Sequence, residues 1–144
     1  MKKKYFFLIF SFLIFFFLGF NVDKAEAAMH SWQKFPKAGS TCEVRAWTDY
    51  LTYTKSANTI DFYLESKGNC GKLDYSAYGV VYYEGANDVT PLVTGYFSYK
   101  TPVKKAKLRT INVRPIPGGL LATLTKNGKF VGLYETKNLN FPNR

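Results

Sequence analysis

From position 42 onward, apolar and polar residues alternate. Cys42, Val44 and Ala46 interleave with Glu43, Arg45 and Trp47, and Ile60, Phe62 and Leu64 interleave with Asp61, Tyr63 and Glu65. A period of two puts successive side chains on opposite faces of extended backbone, so both stretches read as half-buried strands. Between them Lys55-Ser56-Ala57-Asn58 forms a polar turn candidate. Further strands are predicted over 73–83, 92–99, 105–113, 120–125 and 129–137. Turn signals punctuate them: Gly68-Asn69 with Gly71, Gly85 to Asp88, Pro115 to Gly119, and Asn127-Gly128, a strong hairpin signal.

About seven short strands without a helical stretch predict one all-β domain, an antiparallel β-sandwich or barrel. Its expected extent is 41–137. Residues 28–40, containing Pro36 and Gly39, read as an N-terminal arm, and 138–144 as a polar tail. The chain shows neither an internal repeat nor a second domain.

The first 27 residues follow a different pattern. Met1 to Lys4 are basic, Tyr5 to Phe20 carry no charge, and Ala25-Glu26-Ala27 offers small residues at both key cleavage positions. This predicts a signal peptide over 1–27, cleaved after Ala27 or Ala28, and hence an exported protein. The uncharged run falls short of the ~20 residues a membrane-spanning helix needs, so no transmembrane span is expected in the mature form. No Cys stands at the junction to accept a lipid. The Lys- and Phe-heavy segment is similar in composition to the export signals of low-GC Gram-positive bacteria.

An export address changes the reading of the two cysteines. Thiols outside the reducing cytosol commonly pair, and no third Cys or nearby His completes a metal set. Cys42 and Cys70 lie symmetrically about position 56, inside the candidate turn, so a hairpin would bring them together at its open end. A Cys42–Cys70 disulfide is expected.

The mature chain carries 16 Lys/Arg against 8 Asp/Glu, and the excess is localised. Between Asp88 and Glu135 there is no carboxylate, whereas Lys100, Lys104, Lys105, Lys107, Arg109, Arg114, Lys126 and Lys129 all fall there. On one extended strand Lys105, Lys107 and Arg109 would project together, roughly 6–7 Å apart. Such a row suits a polyanion and also guards an edge strand against aggregation. A merely soluble face mixes signs, which favours the polyanion-facing reading.

The expected partner is anionic cell-envelope material, a wall polymer or an acidic membrane surface. The ten tyrosines of the mature chain pack as strand aromatics, with Trp47 and Tyr63 as a candidate binding face for a sugar or an extracellular protein. Those rings support an alternative role as a secreted antimicrobial or enzyme inhibitor. Aromatic and cationic residues together also suit single-stranded nucleic acid, a ligand the export address disfavours.

Catalysis is the weakest reading. His30 stands alone beside the expected new terminus, and no nucleophile–base arrangement or metal motif can be assembled. The remaining candidates for an exported hydrolase are Asp61 and Glu65, which would share one strand face. No catalytic residue, metal site or cofactor is predicted.

Overall fold

The computed structural model describes residues 27–83, 86–108 and 116–142. The predicted signal peptide apart from Ala27, and the predicted site residues Arg109 and Arg114, lie outside them. The protein is all-β, and among the described residues eleven strands form two antiparallel sheets. This is a sandwich rather than a barrel.

The first sheet contains β1 (Ala28–Met29), β2 (Gln33–Lys34), β3 (Glu43–Thr48), β4 (Thr59–Lys67) and β8 (Lys104–Lys107). Here β3 pairs with both β1 and β2 on one side and with β4 on the other, and β8 is the far edge. The second contains β5 (Leu73–Tyr83), β6 (Ala86–Val89), β7 (Val93–Phe97), β9 (Ile116–Lys126), β10 (Lys129–Glu135) and β11 (Leu139–Phe141). β5 and β9 are its long central pair, each eleven residues. Along one edge β5 pairs first with β7 and then with β6, while β9 pairs with β11 and then β10.

The alternation read from the chain is the packing pattern. Val44, Ala46, Ile60, Phe62 and Leu64 are fully buried against Leu73, Ala77, Leu120 and Leu124 of the second sheet. The disulfide joins Cys42 to Cys70 at the open end of the β3–β4 hairpin, as expected.

Five local expectations differ from the structure. The arm forms β1 and β2 and bridges to the second sheet. Phe35 is buried against Gly132 of β10, so closely that a Cβ on that glycine would lie 2.6 Å from the ring. Gln33 Nε2 donates to the Glu135 carbonyl at 2.6 Å, and Tyr134 Oη donates to the Ser31 carbonyl. Second, the tail forms β11, with Leu139 and Phe141 in the core. Third, Gly118 and Gly119, read as a turn, are strand residues of β9. A Cβ at Gly118 would lie 2.3 Å from the Val80 carbonyl oxygen, so glycine marks close approach here rather than a bend. Fourth, the β3–β4 connection spans 49–58, longer than the four-residue turn. Tyr53 drops into the core from it and donates to Asp49 Oδ1 at 2.8 Å, while the Asp61 amide donates to the same oxygen at 3.0 Å. Fifth, the segment around Gly85 to Asp88 carries β6.

Candidate polyanion-binding site

Outward positions of β3 and β4 place Glu43 beside Lys67, Arg45 beside Glu65 and Trp47 beside Tyr63. Each row is complementary. Lys67 Nζ is 2.7 Å from Glu43 Oε2, Arg45 Nε donates to Glu65 Oε1, and the two rings stack with centroids 5.2 Å apart. On the other side of β4, Lys105 of β8 reaches Asp61 Oδ2 at 3.1 Å. Cations also lie over two aromatic rings of this sheet, Tyr63 and Trp32. Lys100 Nζ sits 3.7 Å from the Tyr63 centroid, and Arg45 and Lys67 both lie over Trp32. Of the two candidate rings Tyr63 therefore carries a cation, while Trp47 is stacked on it.

Among the described residues the predicted cations fall in two places. Lys100, Lys104, Lys105 and Lys107 lie on or beside the edge strand β8, as edge-guarding lysines do. Lys107 pairs in register with Thr59, the first residue of β4, whereas Lys67 at its other end lies near the disulfide. Those ends are about 26 Å apart, several Debye lengths at physiological salt. Lys126 and Lys129 flank the β9–β10 turn at the disulfide end, where Lys126 Nζ donates to the Ala38 carbonyl at 2.5 Å. They share that pole with Lys37. The sequence pattern offered no signal for Lys37, which precedes the acid-free window by some fifty positions.

The carboxylate candidates are engaged elsewhere. Asp61 accepts from Thr59 Oγ1 at 2.6 Å and pairs with Lys105, while Glu65 pairs with Arg45. His30 has a structural position: its Nε2 lies 2.9 Å from Thr48 Oγ1, and burial lowers its pKa below the usual histidine value. Burial raises Asp49, partly offset by the hydrogen bonds from Tyr53 and the Asp61 amide. Among the described residues no group of His, Cys, Asp and Glu gathers as a metal site.

A disulfide-stapled β-sandwich is the class these elements define. Residues 25–140 match the family described as YqgA MG2 macroglobulin domain, and the chain belongs to that family. It is 52% identical over 84 residues to the cell wall-binding protein YqgA of Bacillus subtilis (strain 168). That similarity covers 58% of this chain and 57% of the relative. No solved structure matches the chain.

Proposed function

We propose that this chain is an exported binding module that attaches to the cell wall through anionic, phosphate-rich polymer. The similarity to a relative named for wall binding carries the reading. The excess of Lys and Arg supports it, because a polyanion is the complementary partner. The edge strand supplies one contact row: Lys104 and Lys107 are in no ion pair among the described residues, unlike Lys105. The pole carrying Lys126 and Lys129 supplies another. Arg109 and Arg114 extend the same acid-free segment. Among the described residues no helix is long and apolar enough to cross a membrane.

Retention of the mature chain on isolated walls tests this reading. Binding should weaken steeply between about 50 and 500 mM salt, because exposed charges are screened over roughly 8 Å at physiological ionic strength. Walls chemically stripped of phosphate polymer should retain little protein. Lys104→Gln with Lys107→Gln should reduce retention without disturbing the Lys105–Asp61 pair. Equal retention on stripped walls would refute the polymer as partner.

A further inference from the structure

We infer that the recess between the Lys37–Ala38 turn and the β9–β10 hairpin is a phosphate-ester site, taking one sugar- or polyol-phosphate unit of an anionic wall polymer. This rests on the wall-binding reading and names the contact that would grip the polymer rather than merely attract it.

The recess has a volume of about 400 Å³ and is lined by three lysines, Lys37, Lys126 and Lys129, together with Asn127 and Phe130. No carboxylate lines it, and among the described residues none of the three lysines is in an ion pair. That separates them from Lys67 and Lys105, whose ammonium groups already face carboxylates. Lys126 spends one donor on the Ala38 carbonyl, which fixes its position and leaves two N–H groups for a ligand.

The walls are preorganised. Asn127 and Gly128 both occupy the left-handed region, with φ of 51° and 74°, the geometry of a tight hairpin turn. Opposite, Phe35 is wedged on Gly132, and the segment after Lys37 runs into the disulfide. Thr41 and Asn69 clasp the same pole, the Thr41 amide donating to Asn69 Oδ1 at 2.9 Å and the Asn69 amide to Thr41 Oγ1 at 3.1 Å. Backbone ordering is thus in place before binding, leaving the Lys37 and Lys129 side chains to be ordered by the ligand.

The donor set selects the ligand chemistry. Three compact ammonium groups around a concavity concentrate positive charge without a fixed fork geometry, and lysine binds phosphate in this way, as a point charge. Phe130 is 56% exposed beside the lysines and offers an apolar face to the C–H groups of a polyol or sugar. The polymer is the occupant assigned here because the relative is named for wall binding.

The test uses the whole mature chain, labelled with ¹⁵N and titrated with glycerol 3-phosphate against sodium chloride of equal ionic strength. Saturable shifts are expected at the amides of Lys37, Ala38 and residues 126–131, abolished by Lys37→Gln with Lys129→Gln and retained in Lys104→Gln with Lys107→Gln. On walls, the pole variant should bind about tenfold more weakly, the effect of losing charge-assisted contacts. An unchanged urea midpoint shows that this variant is folded. Absence of saturable shifts at the pole, or wall retention by the pole variant equal to that of the native chain, would overturn the site while leaving wall binding standing. A native chain that ignores walls yet shows these shifts would overturn wall binding and keep the phosphate site. A pole variant impaired only on phosphatidylglycerol vesicles would overturn the polymer as its ligand.

Discussion

Replacing Cys42 and Cys70 together by alanine removes the cross-link while keeping the site apolar. Both cysteines are buried, and the disulfide closes a loop of 29 residues counting both ends. On the chain-entropy description, opening a loop of that length returns about 12 cal/mol/K to the unfolded chain, or roughly 3.6 kcal/mol at 25 °C. The small void left by the two sulfurs adds to this, so a loss of about 3–5 kcal/mol is expected. For a domain of this size that lowers Tm by roughly 10–20 °C. The folded sandwich should nevertheless persist, because β3 and β4 remain paired over six positions and the Thr41–Asn69 clasp holds the pole. Urea unfolding followed by Trp32 and Trp47 fluorescence measures the loss. The m-value should rise, since an uncrosslinked unfolded chain exposes more surface. A loss below about 1 kcal/mol, or a variant without native spectra in zero urea, would refute the reasoning.

Three further outcomes are expected. Tyr53→Phe strands the partly buried Asp49 carboxylate without its hydroxyl donor and should cost about 1.5–3 kcal/mol in urea unfolding. Gly132→Ala drives a methyl into the Phe35 ring and should destabilise by about 1–3 kcal/mol, with Phe35→Leu in the same chain recovering part of that loss. His30 has a folded pKa below its unfolded value of 6.5, so as pH falls through that range the unfolded chain takes up the proton first and stability declines. Asp49, raised in the fold, contributes with the opposite sign at lower pH: stability increases as pH falls through its raised pKa toward 3.8. The difference in unfolding free energy between native chain and His30→Gln, taken at pH 7.5 and pH 5, isolates the histidine; an equal difference at both values would exclude it.

Strand positions in the core were legible because they obey a local rule. Val44, Ala46, Ile60, Phe62 and Leu64 alternate with polar neighbours, and a period of two can be satisfied only by extended backbone with one buried face. The disulfide was legible for a related reason, since a hairpin with its turn near position 56 leaves Cys42 and Cys70 at its open end. Neither inference needs to know what packs across the sheet.

Charge and the chain ends were different. No carboxylate precedes Glu135 for 46 positions, yet strand register sets Asp61 beside Lys105, because electrostatic neighbours are chosen by pairing across the sheet and not by position along the chain. Membership of different sheets separated the edge lysines from Lys126 and Lys129, and the packing of the arm against the second sheet brought Lys37 to the latter. Strands of two or three residues, such as β1, β2 and β11, are too short to show a period. Their order comes from pairing with β3 or β9 and, for the arm, from contacts distant in sequence, Phe35 on Gly132 and Gln33 on Glu135, which exist only once the two sheets have closed on one another.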